Sequence, residues 1–373
     1  MAPTIGLNYG QSDRPLRHAT GDAHRFTTTL TKLGYSSENI KVVTDEPGQP
    51  FASQEYLLEC IDWLVRDVSE GEEIFFVFSG HCDPSGISKP EPYLVAGDLK
   101  AISQSTFQDR LVAKVPAGAE LTIVLDCCDA AAMVQSKYCI GRMERAETGK
   151  PSIPTIHPIP QRGPLQGLSA PPPMRVGPAI ARPPGSGVPI TLRRNLGGVI
   201  GARPLSPAVA PTGSPAAAPY PLPVNLPPSI DRRRGRQLVV EGHPVWQFEE
   251  RTRNFVSPAG KIIFWAGTGE RQKAFEASGG VENGIVTDAI CSVLDTSSCL
   301  DKTITLRDVW RSVVGAVGKE NNLRRERDLK KKDCANIPTS KRWQGAQLWV
   351  SQDEPLSSSS PILDQSVFWR STT

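Results

Sequence analysis

Several things are missing from this chain, and each absence narrows what it can be. Its eight cysteines (Cys60, Cys82, Cys127, Cys128, Cys139, Cys291, Cys299 and Cys334) include no Cys-x-x-Cys pair, which argues against a structural zinc site. No apolar run approaches the roughly 18 residues that a membrane-spanning helix needs, so no membrane partner is expected. The net charge is only +3 over 373 residues, too little to argue for a nucleic-acid partner. The opening Met1-Ala2-Pro3-Thr4-Ile5-Gly6 has neither a basic region nor a long apolar core. An export signal and a segment ahead of the first strand are therefore not expected, and the reading is a cytoplasmic monomer with reduced thiols. There is no internal repeat. What remains is 39% hydrophobic and 22% charged residues, enough for one sizeable α/β core.

The two most structured stretches share one design. Glu73-Ile74-Phe75-Phe76-Val77-Phe78 runs into Ser79-Gly80-His81-Cys82, and Leu121-Thr122-Ile123-Val124-Leu125 runs into Asp126-Cys127-Cys128-Asp129. A short apolar run of this kind reads as a strand buried on both faces, hence part of a parallel sheet. Around these two, strands are expected at 4–8, 40–44 and 93–95, with helices at 18–33 (Gly34 as C-cap), 54–68 (Ser53 as N-cap) and 106–115. Alternation of this kind predicts a mainly parallel sheet with helices on both faces.

Composition changes abruptly at residue 148. Well over half of the 34 prolines fall between 148 and 228, and Arg232-Arg233-Arg234-Gly235-Arg236 follows. So little apolar surface cannot offset the entropy of ordering, so 148–237 reads as a disordered, partly polyproline linker. Folded sequence is expected over 238–352, with strands at 261–266 and 347–351 and helices at 284–294 and 305–317. The charged stretch 324–332 reads as a solvated helix face or loop, and a disordered tail is expected over 353–373. The fold class is therefore one α/β domain in two pieces, 1–147 and 238–352.

In open parallel sheets, chemistry happens beyond the carboxyl ends of the strands. One such end offers the imidazole of His81 and another the thiol of Cys128. A thiol becomes a useful nucleophile when a neighbouring imidazole takes its proton or stabilises the thiolate. The amides of Cys82 and Cys128, leaving the ladder at strand ends, could serve a developing oxyanion, and Gly80 would allow the backbone close to a substrate. Taken singly, each of these residues is more often a packing or hydrogen-bonding group; their joint placement is what carries the reading.

Here the residues carry a family resemblance. Ile5-Gly6-Leu7-Asn8-Tyr9, Gly21-Asp22-Ala23, Ser79-Gly80-His81, Asp126-Cys127-Cys128, Gly284-Ile285-Val286-Thr287 and Ala346-Gln347-Leu348 resemble, in order, the motifs of the metacaspases. The histidine also precedes the cysteine by 47 positions, similar to the spacing of about 50 in caspases. The resemblance implies a caspase-like fold and a cysteine endopeptidase that cuts polypeptides after Arg or Lys. Cys128 would be the nucleophile and His81 its acid–base partner. Asp22, Ser79 and Asp126 would line the primary specificity pocket, where two carboxylates suit a cationic side chain. Without the family, Asp22 could simply stabilise a helix N-terminus and Asp126 could hold a loop. Cys127 is expected to be packed rather than reactive.

The chain also departs from the family. Asp129-Ala130-Ala131 replaces His-Ser-Gly after the nucleophile, and a carboxylate at Asp129 would raise the neighbouring thiol's pKa. Cys82 replaces a glycine, keeping the amide but adding a side chain near the oxyanion site, and Ala19 replaces a pocket cysteine. Calcium activates many family members, yet Gln104-Ser105 and Gln135 stand where carboxylates are usual and only Asp98 remains. One carboxylate is too few for a tight calcium site, so no cofactor and little calcium dependence are expected. Self-cleavage is expected at Arg145, Lys150, Arg234 or Arg236. A second reading is an inactive caspase-fold scaffold, and a third is an adaptor whose proline-rich linker binds aromatic-grooved domains.

Overall fold

The structure, a computed structural model, describes residues 1–84, 91–144, 232–233, 237–246, 249–251, 254–275, 283–300, 303–330, 343–352 and 361–367. These all fall in one compact unit made of 1–152 and 228–373. The expected linker over 148–237 lies mostly outside the described residues, as do Arg145, Lys150, Arg234 and Arg236.

The first piece alternates as its sequence predicts. Strand β1 (Ala2–Gly6) leads through helix α1 (Ala19–Lys32) to β2 (Ile40–Thr44). Helix α2 (Gln54–Val65) then leads to β3 (Glu73–Gly80). Three short strands follow, β4 (Cys82–Asp83), β5 (Tyr93–Val95) and β6 (Ala101–Ser103), then helix α3 (Gln104–Arg110) and strands β7 (Glu120–Cys127) and β8 (Tyr138–Met143). The second piece supplies β9 (Arg232–Arg233), β10 (Gln237–Val240), β11 (His243–Trp246), β12 (Glu249–Arg251) and β13 (Lys261–Ala266). Helices α4 (Ile285–Leu300) and α5 (Leu306–Leu329) and strand β14 (Gln347–Val350) complete it.

The central sheet runs β10-β11-β8-β14-β13-β7-β3-β1-β2. From β13 to β2 every pairing is parallel, while β14, β8, β11 and β10 extend it antiparallel. Sheet order reverses between β1 and β3, because β1 leads outward to β2 and the chain then crosses back. A crevice therefore opens at the carboxyl ends of those strands.

Side-chain alternation on β3 and β7 explains the two-sided core. Phe76, Phe78, Leu121, Ile123 and Leu125 face one hydrophobic cluster with Leu57 and Ile61 of α2 and Phe107 of α3. Val77 and Val124 face the other, with Phe26 of α1, Ile290 of α4 and Trp310 of α5. Both faces are covered by helices, as parallel sheets require.

Four expectations needed correction. Residues 93–95 do form a strand, but in a separate antiparallel sheet, β4-β5-β6. The expected linker holds sheet at its end: β9 pairs with β12, and Gln237 opens β10. The expected disordered tail contains a 3-10 turn, Pro361–Asp364, with Ile362, Leu363 and Val367 buried against the α4–α5 layer. That apolar trio supplies the burial that fixes the turn. Finally, α5 continues well past 317, because Lys319, Glu320, Leu323, Arg324, Arg325, Glu326 and Arg327 are good helix formers and Glu320 pairs with Arg324 one turn on.

Candidate active site

Three elements deliver the site. Register places Ser79 beside Asp126 and Gly80 beside Cys127 across β3 and β7, and Gly6 beside Ser79 across β1 and β3. His81 and Cys128 each stand one residue beyond their strand. Asp22 enters from the first turn of α1. That helix begins without a side-chain cap of its own; Asn8 Oδ1, beyond β1, accepts the Ala19 amide at 2.9 Å in its place.

One cavity is lined by Asp22, Ser79, His81, Asp126 and Cys128, together with Ala274 and Phe275. It forms a slot between these strand ends, the start of α1 and Gly284 ahead of α4. At its base, Asp22 accepts hydrogen bonds from the Ser79 hydroxyl (2.6 Å) and the Gly284 amide (2.7 Å). Asp126 accepts from the amide (2.9 Å) and hydroxyl (3.0 Å) of Thr287, at the start of α4. A side chain at Gly284 would meet both carboxylates, at 2.9 Å from the Asp22 oxygen. Burial, and for Asp22 also the charge of Asp126, pushes both acids above the usual carboxylate range. Two buried carboxylates sharing a slot favour a cation between them.

At the mouth, His81 donates from Nε2 to the carbonyl oxygen of Arg14 at 2.6 Å. A carbonyl only accepts, so Nε2 carries a proton and Nδ1 is the nitrogen able to exchange one. The Cys128 sulfur accepts from the Ala274 amide at 3.3 Å. Among the described residues, no hydrogen bond joins His81 to Cys128 directly. Burial raises the Cys128 thiol, and the charge of Asp129 adds to this, whereas the Ala274 amide and Lys273 oppose it. Asp129 itself, in the left-handed conformation with φ 53°, accepts the Arg271 amide at 2.6 Å. Burial pushes its carboxyl up to about 6, helped by the charges of Asp83 and Glu270.

Residues 2–137 match the family described as metacaspase, peptidase C14 domain. That stretch, little more than a third of the chain, resembles a metacaspase peptidase domain. Similar proteins include Metacaspase-1 of Candida glabrata, 28% identical over 146 residues that cover 36% of this chain and 37% of that protein. Metacaspase-7 of Arabidopsis thaliana is 29% identical over 163 residues, 40% of this chain and 38% of that one. The chain thus matches little more than a third of these relatives' length. Among solved structures, protein GSU0716 of Geobacter sulfurreducens has a TM-score of 0.47 at 12% identity, covering 99% of this chain and 97% of that one.

Among the described residues, the expected site residues Cys128, His81, Asp22, Ser79 and Asp126 all line one slot. One detail differs from expectation and a second adds to it. The Cys82 side chain turns into the core, 1% exposed, where its thiol meets that of Cys127, so it does not crowd an oxyanion. Gly80 lines the slot and also makes room for a tyrosine: a side chain there would come within 2.7 Å of the Tyr9 hydroxyl. Cys127 is buried and its thiol raised, as a packing residue should be. Residues that the motifs did not single out as functional are Tyr9, Arg14, Ala274 and Thr287. Most act through backbone groups, which leave no trace in residue type.

The residues around Asp98 do not fit a calcium ion. Its carboxylate accepts the Gln54 amide at 3.1 Å, at the start of α2, and pairs with Lys100 at 3.1 Å. Gln104 is likewise spent, its amide nitrogen donating to the Ala132 carbonyl at 2.6 Å.

Proposed function

We propose that this metacaspase-like chain is a cysteine endopeptidase that cuts polypeptides after arginine or lysine. The observation that carries the reading is the buried Asp22–Asp126 pair at the base of a slot with His81 and Cys128 at its mouth. A cationic side chain would enter the slot and meet both carboxylates, bringing its carbonyl carbon to the Cys128 sulfur. Sulfur attacks as the thiolate, its proton passing to His81 Nδ1. The carbonyl oxygen becomes an oxyanion, served by the amides of Cys128 and Cys82. His81 then returns the proton to the departing amine, leaving a thioester that water hydrolyses.

The test is covalent. An arginyl acyloxymethyl ketone should label Cys128, and labelling should vanish in Cys128→Ala and fall steeply in His81→Ala. Absence of labelling across pH 5–9, with and without calcium, would reject the peptidase. It would favour the second reading, a scaffold with a caspase-like fold, to which the raised Cys128 thiol and the adjacent Asp129 already lend support. Calcium is proposed to be dispensable, on the strength of Asp98 being held by Lys100 and Gln54. Activation of more than about tenfold by millimolar calcium, the range of weak sites, would contradict this. Self-cleavage at Arg145, Lys150, Arg234 or Arg236 is proposed on sequence alone.

A further inference from the structure

We infer that Tyr9 and the Arg14–Asp83 ion pair are positioning residues for His81: they hold its ring so that Nε2–H is spent on the Arg14 carbonyl and Nδ1 is left to trade protons with Cys128. The inference deepens the thiol-peptidase reading and, as a statement about proton transfer, rests on it.

His81 is gripped on three sides. Its ring stacks on Tyr9, centroids 4.6 Å apart and planes 25° from parallel. Its backbone is held at both ends: the amide donates to the Tyr9 hydroxyl at 3.0 Å, and the carbonyl accepts the Val95 amide at 3.0 Å. The same Tyr9 hydroxyl donates to the Val95 carbonyl at 2.6 Å, so one oxygen ties β5 to the residue after β3. Tyr9 pays a conformational cost to be there, with φ 52° in the left-handed region. The Asp45 carboxylate offsets that cost by accepting the amides of Asn8 and Tyr9.

The third grip is the Arg14 carbonyl on Nε2. Arg14 sits in the loop between β1 and α1, which is closed by Ser12 donating to the Tyr9 carbonyl (2.8 Å) and Leu16 to the Asn8 carbonyl (2.7 Å). Its guanidinium takes both oxygens of Asp83 at 3.3 and 3.0 Å. Asp83 lies two residues beyond His81 on the same strand segment. The pair therefore closes a ring: guanidinium to Asp83, Asp83 along the chain to His81, and His81 Nε2 back to the Arg14 carbonyl. The Arg14 side chain is 64% exposed, and such surface pairs contribute little to global stability. Its effect is on geometry: a bidentate fork fixes where the neighbouring carbonyl points.

The test reads the imidazole directly. With 15N-labelled histidine, the free protein should show a hydrogen-bonded His81 Nε2–H proton in slow exchange. Asp83→Ala should abolish it, Asp83→Glu should keep it, and Tyr9→Phe, which retains the stacked ring but not the hydroxyl, should broaden or lose it. In parallel, Asp83→Ala should slow Cys128 labelling at saturating arginyl ketone about fivefold, the scale of one net hydrogen bond, with the half-saturating concentration unchanged. Absence of the proton in the wild type, or its persistence together with an unchanged saturating rate in Asp83→Ala, overturns the positioning role. If the wild type shows the proton but never labels, the peptidase reading fails alone, and the proton's response to Asp83→Ala still decides whether the loop holds His81.

Discussion

Asp129 shows how a single residue can tune the reactivity of its neighbour. It follows Cys128 directly, its carboxylate is pinned by the Arg271 amide, and its charge works against a thiolate. Because burial lifts its pKa to about 6 from 3.8, the folded chain binds this proton more tightly than the unfolded chain does. Between about pH 4 and 6 the folded state therefore carries the excess proton, and stability contributed here falls as pH rises through that window. Asp129→Asn keeps an acceptor for the Arg271 amide and removes the charge. The expected outcome is a flatter stability profile between pH 4.5 and 7.5 in urea denaturation. At pH 7.5, iodoacetamide should modify Cys128 several-fold faster, because no neighbouring negative charge then opposes the thiolate; at pH 4.5 the two proteins should react alike. An unchanged rate at pH 7.5 would show that burial alone governs the thiol. His81 and Cys128 were legible in the sequence because each stands just past a buried strand that its apolar run marks. Asp22, Ser79 and Asp126 stand out as pocket residues only through the resemblance to metacaspase motifs. Tyr9 and the Arg14 carbonyl were not legible, because a stacked ring and a backbone oxygen depend on how two loops meet.

Elements formed where local chemistry and tertiary burial agreed. Helix α5 is the clearest case. Thr305 accepts the Asp308 amide at 3.2 Å while the Asp308 carboxylate accepts the Thr305 amide at 3.1 Å, a reciprocal cap. Its Thr-x-x-Asp spacing and the apolar Leu306, Val309, Trp310, Val313 and Val314 make this start readable from sequence. Thr305→Ala should cost about 1–2 kcal/mol, the usual worth of a good N-cap, measured by urea denaturation. A loss below about 0.3 kcal/mol would mean that burial of Trp310 and its neighbours fixes the helix without help. Strand β8 is the opposite case. Tyr138-Cys139-Ile140-Gly141-Arg142-Met143 has a glycine and an arginine inside it, and nothing in that pattern announces a strand. It exists because β14 pairs with one edge and β11 and β12 with the other. Gly141 belongs to that arrangement, since a side chain there would run into the Trp310 indole, 2.6 Å away.

At the scale of the whole molecule, the two pieces of chain do not make two independent folds. Strand β7 of the first piece pairs in parallel with β13 of the second from Glu120 to Leu125, and β8 lies within strands of the second piece. The two buried acids cross the same divide: Asp22 and Asp126 come from the first piece, and the Gly284 and Thr287 amides they accept come from the second. A break in the connection would therefore leave both the sheet and the slot whole. Placing a site for an unrelated protease within 153–227, outside the compact unit, and cutting there should yield two fragments that elute together at the mass of the intact chain. The nicked protein should label at Cys128 as the uncut protein does. The first piece expressed alone would present the β7 edge unpaired, a template for aggregation, and is expected to be insoluble or unfolded by circular dichroism. Fragments that separate on nicking, or a first piece that folds alone, would show that the sheet contacts between the pieces are dispensable. Co-elution with retained labelling would make cutting of the connection compatible with a working site, which is the condition that self-cleavage as activation must meet.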